Sequence, residues 1–336
     1  MVRILGQSGA VNDFMIEMRR RGITIFKDFS EVLDFKNEWQ RRIINYKKKK
    51  RDELLSEISK DKEFLKSLDL EGRILIRQES LLTEQKELPF KLKTLTESYQ
   101  EDPQNSSLAK VITLTRARIE DLEQNFDEIL KQPFTKEITL AKKLDARLDN
   151  IDYEVDIFCH DYIQDTFRVV NTIDSLMIFF AGAIGEFKTI TQLKLLPDSY
   201  ILVNNYNMEF LKPIFYPKEQ EWIETVQIDH LVVGPSGIFI LETKNWSEET
   251  ITDPSKYSPI KQVQRANYAL YSYLKMIFSS TKIPLRNILV MVGQQVVDEF
   301  AFVKILPPER LISHITYFES FFSSEDINYL LEVLTK

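Results

Sequence analysis

The sequence is poor in the residues that build disulfide frameworks, zinc sites and histidine-centred catalytic sites. Its 336 residues include one cysteine and three histidines. The single cysteine, Cys159, excludes an intramolecular disulfide, and a thiolate zinc site would need ligands from elsewhere. The 9 glycines and 12 prolines exclude a collagen-like or low-complexity chain. A single cysteine is typical of a folded protein from a reducing compartment, so we expect a cytoplasmic location.

Long apolar stretches are also missing. The longest run, 176–184, contains Gly182 and is well short of the roughly 20 residues that span a bilayer. The first residues include Arg3 and no continuous apolar stretch, so they do not resemble a secretory signal. We therefore expect no membrane insertion.

The composition is that of a folded chain long enough for two domains. Hydrophobic residues make up 43% and charged residues 28%, with a net charge of −7. Residues 1–150 carry 29 Lys and Arg against 27 Asp and Glu, whereas residues 151–336 carry 15 against 24. This asymmetry fits a nucleic-acid-facing first half beside an acidic catalytic half, and it also fits solvated helix faces.

Residues 29–70 show helical periodicity, with charged residues between the apolar positions. The apolar stripe consists of Leu54, Ile58, Leu65 and Leu68. An unbroken helix here would be about 60 Å long, which suits a coiled-coil arm. Pro89 is predicted to interrupt the next helix, and the polar segment 101–107 is predicted to form a loop. We expect an antiparallel helical hairpin.

These patterns divide the chain into an N-terminal segment 1–28, a largely helical, coiled-coil-like region 29–180 and an α/β domain 181–336. In the first segment, Gly6-Gln7-Ser8-Gly9 is too short for a phosphate-binding fingerprint and lacks the lysine of a P-loop. We assign this tetrapeptide no functional role.

The helical region contains one dense basic run, which is a candidate nucleic-acid contact. Its members are Lys47, Lys48, Lys49, Lys50 and Arg51. On a helix these cations point in most directions around the axis, so a solvated helix flank explains them equally well. A long amphipathic helix must also bury its stripe, and we expect a homo-oligomer through this region.

After residue 185 the periodicity changes to that of an α+β fold. The predicted elements are a helix at 186–196, strands at 200–204, 226–233 and 238–244, a helix at 259–278 and a strand at 287–292. Gly234-Pro235-Ser236-Gly237 predicts a hairpin turn between the second and third strands. The order is that of an αβββαβ core with a mixed sheet.

The hairpin carries the residues suited to chemistry. Pairing that places Gly234 opposite Gly237 also places Asp229 opposite Glu242, with β-carbons about 5 Å apart. Lys244 lies two residues beyond Glu242 and therefore shares its face. Like charges this close destabilise a sheet, and their burial among apolar neighbours is costly unless a cation lies between them.

Two arrangements would neutralise this pair. Carboxylate oxygens suit Mg²⁺ or Mn²⁺, with Asp229 and Glu242 as metal ligands and a substrate phosphate completing the site. Such a metal serves phosphodiester hydrolysis, in which Lys244 would orient the attacking water or stabilise the developing charge. The alternative is a structural ion pair of Lys244 with one carboxylate, which leaves the other carboxylate unneutralised.

Four motifs follow one another in this part of the chain. They are Gly185-Glu186, the strand from Gln227 to Val233, the strand from Gly237 to Asn245, and Pro259-Ile260-Lys261-Gln262. Over about residues 180–295 they resemble the nuclease-related domain, NERD, a branch of the PD-(D/E)xK restriction-endonuclease-like superfamily. The resemblance implies a restriction-endonuclease-like α/β domain, metal ligation by Asp229 and Glu242 and a catalytic Lys244. It also implies accessory catalytic roles for Glu186, near a helix start, and for Gln262.

The other chemically capable side chains are better explained by packing. His230 alternates away from the carboxylate pair and suits a hydrogen-bonding role in the core. Cys159 and His160 lie on a helical stretch, which predicts a packed cysteine beside an exposed histidine. Trp222 and Trp246 flank the hairpin, where aromatic residues pack more often than they bind bases.

These observations lead to one hypothesis and two alternatives. The hypothesis is a divalent-metal-dependent nuclease acting on DNA, with a helical arm for oligomerisation or targeting, in defence or DNA processing. The alternatives are a non-catalytic scaffold that binds nucleic acid or a protein partner, and a nuclease subunit that is active only with a partner. Metal binding that is lost in Asp229→Ala would separate the nuclease from the scaffold.

Overall fold

The chain is described by a computed structural model. The described residues are 2–246, 258–278, 282–293 and 302–335. They divide into an α/β unit, Met1–Glu38 with Phe167–Lys336, and a helical unit, Trp39–Thr166. Because the divisions fall inside two long helices, they do not coincide with the boundaries at 28 and 180 drawn from the sequence.

The first half of the chain is helical, as predicted. Its helices are α1 (Gly9–Arg20), α2 (Phe29–Ser67), α3 (Leu70–Glu101), α4 (Ser106–Gln124), α5 (Phe126–Lys131), α6 (Thr135–Asp149) and α7 (Ile151–Ser175). The apolar stripe of α2 contributes Leu54 and Ile58 to a buried cluster with residues of α6 and α7, among them Leu144 and Cys159. The stripe is therefore covered, at these two positions, within the helical unit.

The break expected at Pro89 is wrong, because α3 continues through it from Leu70 to Glu101. A proline removes one helical N–H and its bond to the preceding turn. Packing between α3 and α4 supports the helix before the proline, where Leu81 and Leu122 share a buried cluster. In particular, the guanidinium of Arg118 donates to both carboxylate oxygens of Glu84, at 2.9 and 3.1 Å.

The α/β unit is built on one six-stranded mixed sheet. Its strands are β1 (Arg3–Leu5), β2 (Ile201–Tyr216), β3 (Glu221–Gly234), β4 (Gly237–Lys244), β5 (Leu285–Met291) and β6 (Val303–Leu306). They lie in sequence order across the sheet. The pairs β2–β3 and β3–β4 are antiparallel, whereas β1–β2, β4–β5 and β5–β6 are parallel.

Helices cover both faces of this sheet. They are α8 (Met177–Leu193), α9 (Pro259–Ile277), α10 (Leu311–Ile315) and α11 (Ser324–Leu334). α9 and α11 share one apolar core with the sheet, and α8 and α10 share the other. This arrangement is typical of a sheet whose parallel connections run over its faces.

The αβββαβ core predicted from the sequence is confirmed as α8, β2, β3, β4, α9 and β5. Two details differ. The strand β1 was not predicted, because three residues are too few to show a period of two. The helix predicted to begin at Glu186 begins at Met177, because Gly182 and Gly185 are accommodated inside it.

Among the described residues, no single helix is long and apolar enough to span a bilayer. Of the helices in this described part of the chain, only α7 and α8 taken together meet the criterion, and they are bent by 80° at their junction.

Candidate active site

The β3–β4 hairpin positions the central residues of the site. Gly234 pairs with Gly237, and the register continues down the ladder to His230 and Leu241, as the turn predicted. One step beyond the ladder lie Asp229 and Glu242.

Beyond His230 and Leu241 the backbone pairing of the two strands ends, and the side chain of Asp229 makes the next contact between them. The Oδ2 atom of half-buried Asp229 accepts a hydrogen bond of 2.8 Å from the backbone N–H of Thr243. The Thr243 side chain is buried on the α8 side, where its hydroxyl lies 3.4 Å from that of Thr189. Thr243 therefore lies on the face of β4 opposite to Glu242 and Lys244.

Glu242 and Lys244 form a close ion pair on the same face of β4. The Nζ atom of Lys244 donates to Oε1 of Glu242 at 2.6 Å. Glu242 is only 3% exposed. The structural ion pair considered as the alternative to a metal site is thus formed. Asp229 is the carboxylate of the hairpin that does not take part in this ion pair.

Glu186 is the third carboxylate of the region and is buried, like that of Glu242. It lies in the interior of α8, so its expected position near a helix start is wrong. A β-carbon added to the preceding Gly185 would lie 3.1 Å from the Asn245 side chain and 3.3 Å from that of Thr243. The glycine therefore lets α8 approach the end of β4 closely, which brings Glu186 toward the hairpin.

The electrostatics of the site are dominated by burial and by repulsion among these carboxylates. Burial and the charge of Asp229 raise the pKa of Glu242 to about 8, against the opposing effect of Lys244. Burial and Asp229 also raise the pKa of Glu186 to about 7, although hydrogen bonds from Ser8 and Ala10 oppose the rise.

Asp229 and Lys244 are shifted as well. Burial raises the pKa of Asp229, although the Thr243 N–H and Lys244 oppose the rise. Burial alone would lower the pKa of Lys244, but the neighbouring Glu242 and the other two carboxylates hold it above its ordinary value. Several perturbed groups in one place are typical of a functional site.

Gln262 is not brought into contact with these groups by any hydrogen bond among the described residues. It is half-buried in the first turn of α9 and lines a cavity of about 290 Å³ next to β3. Thr225, Gln227 and Arg265 line the same cavity. Its accessory role stays a prediction.

Most of the basic run on α2 is engaged by carboxylates of the helical unit. Lys47 binds Asp156 at 2.7 Å, and Arg51 binds Asp152. Lys50 and, at the longer distance of 3.9 Å, Lys49 contact Glu53. Lys48 is exposed. Nucleic-acid contact by Lys47–Arg51 stays a prediction.

The other candidates differ in how deeply they are buried. His230 is fully buried, its Nδ1 lies 2.9 Å from Oδ1 of Asn204, and burial lowers its pKa to about 3. Cys159 is buried beside exposed His160, as predicted. Trp222 is exposed, with its ring centroid 5.1 Å from that of Phe215.

Ser8 is a residue of this site that sequence reasoning missed. Its hydroxyl donates to Oε2 of Glu186 at 2.5 Å, and the N–H of Ala10 donates to Oε1 at 3.2 Å. The available signal was a serine followed by a helical stretch, which predicts an N-cap but not its partner.

No three-residue group of His, Cys, Asp or Glu is arranged to hold a metal ion within the described part of the chain. Oxygen donors in this region are therefore Asp229 and Glu242 on the hairpin, with Glu186 turned toward α1 by the two hydrogen bonds above.

One comparison with known families finds a match. The family model described as nuclease-related domain, NERD, matches residues 181–292. No curated protein and no solved structure matches the chain. The matched range contains Glu186, Asp229, Glu242, Lys244 and Gln262. The resemblance found in the motifs is thereby confirmed over residues 181–292, which match the family model of the nuclease-related domain.

Proposed function

We propose that this protein is a nuclease that uses Mg²⁺ or Mn²⁺ to hydrolyse phosphodiester bonds of DNA. One observation carries the proposal: Asp229, Glu242 and Lys244 meet at one end of the β3–β4 hairpin. There the carboxylate of half-buried Asp229 is close enough to that of buried Glu242 for its charge to raise the pKa of Glu242. The NERD match over residues 181–292 supports a nuclease-related role for the same segment.

The donor set suits a hard divalent cation. Asp229 and Glu242 would hold it, and Mg²⁺ is commonly bound by one or two carboxylates with water and substrate phosphate in the remaining positions. A cation here would also relieve the repulsion that raises the pKa of Glu242. When bound, it would neutralise charge on the scissile phosphate and lower the pKa of a water molecule.

Lys244 supplies the positive charge of the protein itself. Its ammonium group keeps its proton, because the surrounding carboxylates hold its pKa above the ordinary value. Once a cation occupies the carboxylates, this ammonium is free to orient the attacking water or to stabilise charge on the phosphate. Glu186 and Gln262 are proposed accessory residues at the edges of the site.

The helical unit is proposed to support oligomerisation and nucleic-acid binding. Large apolar side chains are exposed along its helices, which supports burial in a homo-oligomer. They include Ile44, Phe64, Leu75, Ile76, Phe90 and Leu114. Light scattering coupled to gel filtration tests this part of the proposal, since a monomer at micromolar concentration would contradict it. The proposed compartment is the cytoplasm, which fits the single buried thiol.

The decisive experiment is a cleavage assay with the full chain. Plasmid, single-stranded DNA and single-stranded RNA are incubated with the protein in Mg²⁺, in Mn²⁺ and in EDTA. We expect DNA cleavage that EDTA abolishes and that falls at least about 100-fold in Glu242→Gln and in Lys244→Met.

Matched controls are available in the same unit. Glu224→Gln changes an exposed carboxylate on β3, and Lys304→Met changes an exposed lysine on β6, so neither is expected to alter cleavage. Cleavage that persists in Glu242→Gln and Lys244→Met would contradict the proposed site. Binding of DNA without cleavage would instead support the scaffold or the subunit that needs a partner.

A further inference from the structure

The N-terminal segment reaches the candidate site through one short strand and one tight turn. Strand β1 pairs in parallel with β2, so that Leu5 lies beside Val203. The chain then turns at Gly6, whose φ is +74°. A β-carbon at this glycine would lie 2.5 Å from the backbone oxygen of Asn204, so a larger residue could not take this path.

Ser8 follows this turn and performs two tasks at the start of α1. As the N-cap, its hydroxyl oxygen accepts the backbone N–H of Val11 at 3.2 Å. The same hydroxyl donates to Oε2 of Glu186, 178 residues away in sequence, at 2.5 Å. The N–H of Ala10 engages the other oxygen, Oε1. Both oxygens of the Glu186 carboxylate are therefore held by α1.

Glu186 is in turn coupled electrostatically to the hairpin. Ser8 and Glu186 are both 7% exposed, so their interaction is shielded from solvent. The charge of Asp229 acts on Glu186, and that of Glu186 acts on Glu242 and Lys244. The charge of this one carboxylate thus acts on both Glu242 and Lys244, and the charge of Asp229 acts on it.

Packing between α1 and α8 does not require this carboxylate. The rings of Phe14 and Phe180 lie 5.4 Å apart, and a β-carbon on Gly182 would lie 3.5 Å from that of Ala10. Apolar contacts therefore already join the two helices. A buried carboxylate adds a desolvation cost to this contact, which a structural tie alone does not explain.

We propose that Ser8 is a positioning residue of the site, which acts by fixing the carboxylate of Glu186 beside the hairpin. This inference rests on the proposed nuclease function. It makes the N-terminal segment, which lies outside the family match at 181–292, a part of the functional site. Outer groups that orient the residues around a metal commonly change metal affinity or activity by 10 to 100-fold.

The test compares Ser8→Ala, Ser8→Thr and Glu186→Gln in the full chain. The readouts are kcat for DNA cleavage, KM for DNA, the Mg²⁺ concentration at half-maximal rate, and Mn²⁺ binding without DNA. For Ser8→Ala we expect at least about a tenfold loss in kcat or in apparent cation affinity, with KM for DNA unchanged. Ser8→Thr retains the hydroxyl and is expected to restore most of the loss.

A double-mutant cycle shows whether Ser8 acts through Glu186. If it does, Ser8→Ala has no further effect in the Glu186→Gln background, because the carboxylate that it positions is already neutralised. Losses that multiply in the double variant would overturn the inference.

The matched control is Ser323→Ala on α11. Ser323 is also an N-cap serine, and its hydroxyl also donates to a carboxylate, that of Asp326, at 2.7 Å. Ser323→Ala removes a similar N-cap, which typically lowers stability by about 1 kcal/mol, and it leaves the site unchanged. Equal cleavage by Ser8→Ala and Ser323→Ala would overturn the positioning role while the nuclease proposal stands. A wild-type protein that neither binds Mn²⁺ nor cleaves would overturn both.

Discussion

The carboxylate of Asp229 accepts the backbone N–H of Thr243 where the ladder between β3 and β4 would otherwise continue. Beyond the last backbone pair, His230 with Leu241, the two strands are thus joined by a side chain. This contact holds the charge of Asp229 next to Glu242, whose pKa it helps to raise to about 8. Several measurable consequences depend on that charge.

Removal of the Asp229 charge should lower the pKa of two other carboxyl groups. In Asp229→Asn the amide oxygen can still accept the Thr243 N–H, but the negative charge is gone. We expect the pKa of Glu186 to fall below about 7 and that of Glu242 to fall below about 8. Titration of ¹³C-labelled glutamate carboxyl groups by NMR measures both values.

Asp13→Asn provides the control for this measurement. The charge of Asp13 contributes to the raised pKa of Glu186, whereas the pKa of Glu242 is shifted by burial, Asp229, Lys244 and Glu186. The control should therefore shift Glu186 slightly and leave Glu242 unchanged. Unchanged values for both groups in Asp229→Asn would contradict the electrostatic description of the site.

Loss of Lys244 should destabilise the protein more at high pH than at low pH. The folded pKa of Glu242, about 8, lies above its ordinary value of 4.5. Its contribution to the free energy of unfolding is therefore greatest below pH 4.5 and is lost as pH rises through about 8. Lys244→Met removes the cation that opposes this shift. We expect a loss of about 3 kcal/mol at pH 9 and a smaller loss at pH 6.

Urea unfolding at the two pH values, without divalent metal, measures this difference. Lys304→Met removes an exposed lysine from β6 and should change stability by less than about 0.5 kcal/mol at either pH. A Lys244→Met effect that is equal at pH 6 and pH 9 would show that Glu242 does not titrate between them.

Buried His230 should make the protein sensitive to acid. Burial lowers its folded pKa to about 3, whereas its ordinary value is 6.5. The stability that depends on neutral His230 is present above pH 6.5 and is lost as pH falls toward 3. Between pH 7 and pH 5 the wild-type protein should lose about 2 kcal/mol through this group.

His230→Gln isolates this contribution, because glutamine does not titrate and its amide can still pair with Asn204. The difference in unfolding free energy between wild type and variant should shrink as pH falls from 7 to 5. His160→Gln, at an exposed position on α7, controls for the substitution itself. A difference that is constant with pH would mean that His230 accepts a proton in the fold.

The hairpin part of the site could be predicted because its geometry is local. Gly234 and Gly237 set the register, and strand alternation then places Glu242 and Lys244 on one face. The same rules predicted that His230 would turn into the core, where it meets Asn204. Each of these inferences needs only a turn and a period of two.

The other contacts of the site join residues that are far apart in the sequence. Neither turn signals nor helical or strand periodicity predict such contacts. Ser8 meets Glu186 only because β1 pairs with β2 and because Gly6 passes close to Asn204. The start of α8 was misplaced for a related reason, since Gly185 looks like a helix breaker until its close neighbours on β4 are known. In both cases a glycine that local rules treat as a break is required by tertiary packing.

The basic run on α2 leads to the last prediction, because the structure separates its members by their ion pairs. Lys47, Lys50 and Arg51 are held by carboxylates at hydrogen-bond distance, whereas exposed Lys49 lies 3.9 Å from Glu53. Exposed Lys48 and Lys49 are therefore the two members of the run best able to reach a phosphate.

Lys48→Gln combined with Lys49→Gln should therefore weaken DNA binding, because two phosphate contacts and their counterion release are lost. The slope of log affinity against log salt should decrease in magnitude by about 2. Fluorescence anisotropy with labelled duplex DNA between 50 and 200 mM salt, roughly the range in which such slopes are measured, gives this value. Lys142→Gln with Lys143→Gln, a pair of exposed lysines on α6, is the matched control. Equal slopes for the two double variants would identify the run as a solvated helix flank, whereas a selective change would place DNA on the helical unit.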